Sequence, residues 1–165
     1  MARILLLGCA GTGKTTLARR LGARNGAPVI TLDALWQPHW TDADLPHFRS
    51  LIATAHVTDA WFSDGNFAAA TFDLRLPRAD VVLWLERPRW SCAWRAIARV
   101  LRPGEHHRVA DLPKVLRFIW GFDRINRPRI EAGLAQYGAH VEVIRLRTDR
   151  EAADFVQGLP DRRLG

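Results

Sequence analysis

The first apolar run of the chain, Ile4, Leu5, Leu6 and Leu7, is far too short to cross a membrane and is cut off by Gly8, the signature of a buried strand. Short runs of the same kind recur at residues 29–32, 60–63 and 81–85, and residues 141–146 alternate into a fifth strand. Between these runs the period lengthens to that of helices. One helix follows the first strand and is ended by Gly22 and the Asn25-Gly26-Ala27-Pro28 turn. Leu45, Phe48, Leu51, Ile52 and Ala55 share one face of a second helix within residues 42–57, and Trp90, Trp94, Ile97 and Leu101 mark the apolar side of another over residues 88–100. Residues 114–122 predict a short apolar helix, and a separate helix opens around Pro128, runs to Tyr137 and is stopped by Gly138. Thr148 and Asp149 cap the last helix, and residues 158–165 read as a frayed tail. Strands alternating with helices predict an open α/β fold, and 165 residues without internal repeats predict one domain, 1–165.

Chemistry enters where the first strand ends. Gly8-x-x-x-x-Gly13-Lys14-Thr15 is a P-loop in the context it needs, with a strand before it and a helix after it. Glycines at 8, 11 and 13 let successive backbone N–H groups turn inward on a triphosphate, and the helix opened by Thr15 and Thr16 adds its dipole. Gly8, Gly11, Thr12, Gly13, Lys14, Thr15 and Thr16 are therefore the expected ATP cradle. Lys14 would reach the β- and γ-phosphates, and the Thr15 hydroxyl would complete a Mg²⁺ shell.

Two carboxylates follow at strand ends, where open α/β sheets bind their ligands. Asp33 closes the second strand and can orient an acceptor or take its proton; the alternative is a helix N-cap. Asp64 closes the third, where a Mg²⁺-organising carboxylate belongs, a reading favoured over a plain Asp64-Gly65 turn. Trp36 and Trp40, interrupted by Pro38, either stack on a substrate ring or floor the core beneath it. With Asn66, Phe67 and Arg75 they make up the expected acceptor pocket, one that fits a ring bearing an anion. Arg95 and Arg99 stand one turn apart on a helix face, the geometry of a phosphate clamp. His106 and His107 are adjacent and point apart, which is poor metal-ligand spacing.

Charge changes the picture regionally. The net charge is +7, yet residues 87–129 hold eleven basic residues against three acidic ones, +8, and the remainder of the chain sums to −1. That excess keeps nucleic acid open as a partner without favouring it, because the segment shows no helix-turn-helix and several of its arginines sit where a phosphate clamp needs them. A hydrophobic content of 48% with seven tryptophans excludes a disordered chain. Cys9 and Cys92 make no disulfide framework, and with no leader or membrane span to read, the cytoplasm is the default location.

With these residues in place the chain resembles the nucleoside-monophosphate-kinase-like branch of P-loop kinases. It resembles more closely the small bacterial proteins labelled DNA topology modulation proteins or adenylate-kinase-related kinases. The likeness covers nearly the whole chain. It rests on the P-loop, on Leu32-Asp33-x-Leu35-x-x-Pro38-x-Trp40, on Asp64-Gly65-Asn66-Phe67 and on Asp73-x-Arg75. It continues in Arg87-Pro88-Arg89-x-x-Cys92-x-x-Arg95, in Phe118-x-Trp120 and in Arg127-Pro128. The resemblance implies a P-loop NTPase fold: a five-stranded parallel sheet in order 2-3-1-4-5, helices on both faces and a short helical lid over about residues 102–127. It implies ATP·Mg²⁺ on Lys14 and Thr15, Asp64 as the acidic residue of the third strand, and Arg95, Arg99, Arg124 and Arg127 as lid arginines that neutralise the transferring phosphoryl group. Ala68 stands where adenylate kinases carry the arginine that grips AMP, so the acceptor is left as a nucleotide, a nucleoside or a hydroxylated metabolite. The implied activity is phosphoryl transfer from ATP to that acceptor; the alternative is a nucleotide-dependent regulator or ATPase that contacts DNA.

Overall fold

The structure is a computed structural model that describes residues 2–101 and 111–159. The histidine pair at 106 and 107, the first part of the expected lid and the end of the tail lie outside the described residues. Five strands, β1 (Arg3–Gly8), β2 (Val29–Thr31), β3 (Trp61–Asp64), β4 (Val81–Leu85) and β5 (Glu142–Leu146), form one sheet in the order β2-β3-β1-β4-β5. Every pairing is parallel, with Leu6 opposite Asp64, Thr31 opposite Asp64 and Gly8 opposite Leu85. The carboxyl ends of the strands therefore emerge at one edge. That is the α/β P-loop NTPase fold the sequence implies.

The unbroken aliphatic run in β1 follows from burial on both faces, as parallel sheets require. Ile4 and Leu6 pack with Leu17 and Leu21 of α1 (Lys14–Asn25) and with the apolar side of α7 (Asp149–Gly158). Leu5 and Leu7 belong to the opposite cluster. It is completed by α3 (Leu45–Ala55), α4 (Ala68–Arg75), α5 (Arg89–Val100) and α6 (Leu112–Tyr137). Each of these fully enclosed leucines contributes about 1.5–3 kcal/mol of transfer free energy.

Three expectations change. Residues 112–137 form one helix of 26 residues, with Pro128 inside it, rather than two. Proline removes one hydrogen bond and crowds the preceding turn. The helix survives because Ile119, Phe122 and Ile130 are anchored in the core and Gly133 lies so close to α4 that a Cβ there would stand 2.5 Å from the Phe72 ring. On α5 the buried residues are Cys92, Ala93 and Ala96, whereas Trp90 and Trp94 are 73% and 68% exposed. The cause is steric: the backbone of Cys92 lies against the P-loop at Gly11, leaving room on that side only for small residues. Finally, β2 ends at Thr31, and Asp33 falls in the first turn of the short helix α2 (Leu32–Leu35) rather than at its N-cap. No helix among the described residues is long and apolar enough to cross a membrane.

Candidate active site

The P-loop is shaped by contact as much as by conformation. Gly8 and Gly11 have φ of +141° and +79°, in the region that favours glycine, and a Cβ on either would stand 2.4 Å from the Leu85 carbonyl oxygen or 2.5 Å from that of Cys92. Gly13, at φ +96°, has open space instead, bounded only by the Arg95 guanidinium 3.8 Å away. Inside the turn Thr12 donates its hydroxyl to the Cys9 carbonyl at 2.8 Å. Lys14 Nζ donates to the Gly8 and Cys9 carbonyls, both at 2.8 Å, and burial pushes its pKa down against the opposing pull of Asp64. Thr16 is exposed at the mouth. Cys9 and Cys92 are free, buried thiols, and the neighbouring Cys92 thiol, together with burial, pushes the Cys9 pKa up.

The carboxyl edge of β3 is tied to this loop by two separate contacts. Thr15 donates its hydroxyl to Asp64 Oδ2 at 2.6 Å, joining the hydroxyl and the buried carboxylate expected to organise a metal. Asn66 clasps Gly8 reciprocally: its Nδ2 donates to the Gly8 carbonyl at 2.9 Å and its Oδ1 accepts from the Gly8 N–H at 3.1 Å. Across the crevice Asp33 is exposed, and the surrounding protein raises its carboxyl pKa, first by desolvation and then by the nearby charge of Asp64, with Lys14 opposing.

Phe67 holds the only left-handed φ of a non-glycine among the described residues, +38°, and turns the chain into α4. Its ring lies 5.1 Å from Phe48 and 6.3 Å from Trp36, which in turn meets Trp40 at 5.6 Å. The two tryptophans are half-buried, so they floor the core at this point while keeping part of each ring at the surface.

Two expected site residues are placed elsewhere. Arg75 lines no pocket: it is fully buried, donating to Thr71 Oγ1, to Ser63 Oγ and to the carbonyls of Gly65 and Asn66. Desolvation brings its pKa down to about 9, against the charge of Asp64. Its bonds hold the turn that carries Asp64 and Asn66. Arg127 is committed to Glu86 at 2.9 Å and to Asp123 at 3.2 Å, and it stacks on Trp84, because the Glu86 carboxylate at the end of β4 needs counter-charge. Arg145 adds a second cation to Glu86 at 2.6 Å. Arg95 stands beside the P-loop but is paired with Asp149 at 2.6 Å. Arg99 and Arg124 are exposed on α5 and α6.

A cleft of about 170 Å³ opens next to the Asn66 clasp, between the first turn of α4 and the Asn126 and Arg129 side of α6. Asn126, Arg129 and Glu86 were not among the residues singled out by sequence. The available signal was the Asn126-Arg127-Pro128-Arg129 run and a carboxylate directly after the most apolar strand.

The oxygen pair of Thr15 and Asp64, beside a cradle that only glycine can line, fits Mg²⁺ carried on a nucleotide, a hard cation that takes few protein ligands. Among the described residues no cluster of three His, Cys, Asp or Glu side chains forms a metal cage, so the phosphates would supply the remaining ligands.

Sheet order and phosphate loop together define a protein of the α/β P-loop NTPase fold. No protein-family model matches the chain, and neither does the sequence of any curated protein. Solved structures do. A shikimate kinase from Acinetobacter baumannii, in complex with shikimate, superposes with a TM-score of 0.61 at 18% identity over 95% of this chain and 89% of its own. A gluconokinase from Sinorhizobium meliloti 1021 gives 0.59 at 19% identity over 94% and 87%. A shikimate kinase from Bacteroides thetaiotaomicron gives 0.55 at 21% identity over 94% of both chains. The likeness establishes the fold, shared with P-loop kinases of small metabolites rather than with DNA topology modulation proteins in particular.

Proposed function

We propose that the protein is an ATP-dependent phosphotransferase that moves the γ-phosphoryl group of ATP·Mg²⁺ to a hydroxyl of a small acceptor. The observation that carries this reading is the Thr15–Asp64 contact at 2.6 Å on the rim of the P-loop, with Asp33 close enough for the charges of Asp64 and Lys14 to act on it. Lys14 exchanges the Gly8 and Cys9 carbonyls for phosphate oxygens, and the backbone N–H groups of residues 11–16 hold the triphosphate. Magnesium, when bound, neutralises charge on the β- and γ-phosphates. Asp33 accepts the proton of the acceptor hydroxyl as its oxygen bonds to the γ-phosphorus; the bond to the β–γ bridging oxygen breaks, and that electron pair leaves with ADP. A carboxyl with a raised pKa is a better base for this step. A hydroxyl acceptor is favoured over a phosphate one, which has no proton to lose at the reacting oxygen. Trp36 and Trp40 wall the acceptor side, and Arg95 and Arg99 on α5 supply mobile positive charge.

ADP release by purified protein, alone and against nucleoside monophosphates, nucleosides and hydroxylated metabolites, tests the reading. Lys14→Ala should abolish turnover with the fold intact by circular dichroism; wild-type rates in that variant would exclude P-loop chemistry. A second reading, a nucleotide-dependent regulator that contacts DNA as the resemblance implies, is favoured by one observation. Trp90, Trp94 and Trp120 are exposed among the arginines of the +8 segment. Duplex binding that falls steeply with salt would support it, and absent binding near physiological salt would refute it.

A further inference from the structure

Two thiols lie where the phosphate loop presses on α5, and phosphoryl transfer has no use for either. Cys9 is the second residue of the loop, and its carbonyl accepts from Thr12 and from Lys14, both at 2.8 Å. Cys92 is fully buried near the start of α5, where its N–H donates to the Pro88 carbonyl at 3.1 Å. Loop and helix meet at this residue: a Cβ on Gly11 would stand 3.1 Å from the Cys92 Cα. The two cysteine side chains are neighbours within one core cluster, and Cys9, 8% exposed, is the one that opens to a small molecule.

Charge distinguishes this pair from inert core thiols. The neighbouring Cys9 thiol, and then the charges of Lys14, Arg95 and Arg87, hold the Cys92 thiol below its usual pKa range against the effect of burial. A thiolate is the form that attacks an oxidant, and cations beside a thiol near a helix start are the setting of reactive cysteines. Among the described residues no cluster of three His, Cys, Asp or Glu side chains includes the two, so the pair is not a metal cage. Two adjacent thiols without further ligands can close into a disulfide.

We propose that Cys9 and Cys92 are a modification site, oxidised by a peroxide to a reversible disulfide that staples the phosphate loop to α5 and closes it to nucleotide. The Cys92 thiolate attacks one peroxide oxygen; the O–O bond breaks, and the other oxygen takes a proton and leaves as water. The Cys9 thiol then attacks the sulfenic sulfur of Cys92, the S–S bond forms, and the sulfenic oxygen leaves as a second water. Two thiols are oxidised, one peroxide is reduced to two waters, and a dithiol reductant reverses the change. To bond, the sulfurs must draw together, and α5 cannot yield because Cys92, Ala93 and Ala96 are packed in the core. The loop moves instead, and with it the Cys9 carbonyl on which Thr12 and Lys14 are set. Nucleotide affinity falls for that reason, and by linkage a bound nucleotide favours the dithiol. The loss of affinity rests on the P-loop reading; the disulfide does not.

The test treats the full chain with hydrogen peroxide, alkylates the remaining thiols, digests with trypsin and weighs the peptides. The expected product joins residues 4–14 to residues 90–95, and dithiothreitol separates them. Calorimetry of the oxidised protein should show ATP·Mg²⁺ binding weakened roughly tenfold or more, restored by dithiothreitol. A tenfold coupling also raises the midpoint potential of the pair by about 30 mV in saturating ATP·Mg²⁺, read in a glutathione buffer. Cys92→Ala, which matches the small residues beside it, and Cys9→Ala should each bind ATP·Mg²⁺ equally well before and after peroxide, which assigns the loss to the pair. Thiols that stay open to alkylation, oxidation that does not join the two peptides, or a joined pair that binds ATP·Mg²⁺ as the reduced protein does overturns the inference. Reduced protein that binds no nucleotide overturns the P-loop reading and the closure with it, while the peptide masses still decide whether the disulfide forms.

Discussion

Acidification should destabilise this protein through one residue, His56. The ring is 1% exposed; its Nδ1 lies 2.7 Å from the Ile52 carbonyl and its Nε2 lies 2.8 Å from Ser63 Oγ. The carbonyl can only accept, so Nδ1 carries the proton and neutral Nε2 accepts from the Ser63 hydroxyl, whose oxygen in turn accepts from Arg75 at 3.3 Å. A second proton would break that relay and place charge near Arg75, and burial accordingly lowers the pKa from 6.5 to about 4. Between those values the unfolded chain binds the proton and the folded chain does not. Stability is therefore complete above pH 6.5 and falls as pH drops toward 4, by about 2 kcal/mol at pH 5 and about 3 kcal/mol in full. Carboxylates held low by arginine, such as Asp73 and Asp80, titrate below this window. Urea unfolding at pH 7.5 and pH 5, for wild type and for His56→Gln, isolates the effect. A wild-type loss of about 2 kcal/mol, absent from the variant, is expected; equal pH dependence in the two proteins would refute the buried neutral imidazole.

Gly11→Ala adds a left-handed penalty of about 1–2 kcal/mol to a methyl 2.5 Å from the Cys92 carbonyl. A lower melting temperature and loss of ATP binding by calorimetry are expected; unchanged values would mean the loop does not press on α5. Asn66→Ala leaves the Gly8 N–H without its side-chain partner and the Gly8 carbonyl with Lys14 alone, costing roughly 1–3 kcal/mol. ATP affinity should fall with stability, and a variant that binds ATP normally would show that the clasp does not shape the cradle. Arg95→Ala should lower kcat with little change in denaturation midpoint, while Arg127→Ala should lower the midpoint by removing one of the cations on Glu86 and the stack on Trp84; the reverse pattern would exchange their roles.

What the sequence made legible and what it hid divide along physical lines. The sheet was readable because burial on both faces leaves unbroken aliphatic runs, and the P-loop because its glycines answer to a local geometry that no other residue can meet. The place of Asp64 at the end of a strand was readable from the apolar run before it. Arg75 was not, because a guanidinium that faces a ligand and one that satisfies buried carbonyls are the same letter in the sequence; only the enclosing contacts with Thr71, Ser63 and the 65–66 turn separate them. The outward face of α5 is hidden from the sequence for a related reason. Helical periodicity identifies an apolar stripe, but the approach of Cys92 to Gly11 decides which side of the helix has room for indoles. Pro128 reads as a boundary in the sequence because the cost of an internal proline is local, whereas the anchoring of Ile119, Phe122 and Ile130 that outweighs it is not.

The cations around the site differ in how readily they can change partners, and that difference orders their roles. Arg95 is held by Asp149, whose side chain is 71% exposed, and an exposed pair of this kind is worth about 0–1 kcal/mol. Under the phosphotransferase proposal, a triphosphate on the P-loop would offer Arg95 a stronger partner close to where its guanidinium already stands beside Gly13. Arg127 faces the opposite balance. Its partner Glu86 is 15% exposed and is shared with Arg145, and the guanidinium is stacked on the buried Trp84, so releasing it would leave a partly desolvated carboxylate short of charge. Arg129 has no such partner to give up among the described residues, and the space in front of it is free of acidic groups. One arginine is thus fixed to the scaffold, one is held only by an exposed partner it can leave, and one has no ion-pair partner among the described residues, a division that neither the count of basic residues nor their spacing along the helices could express.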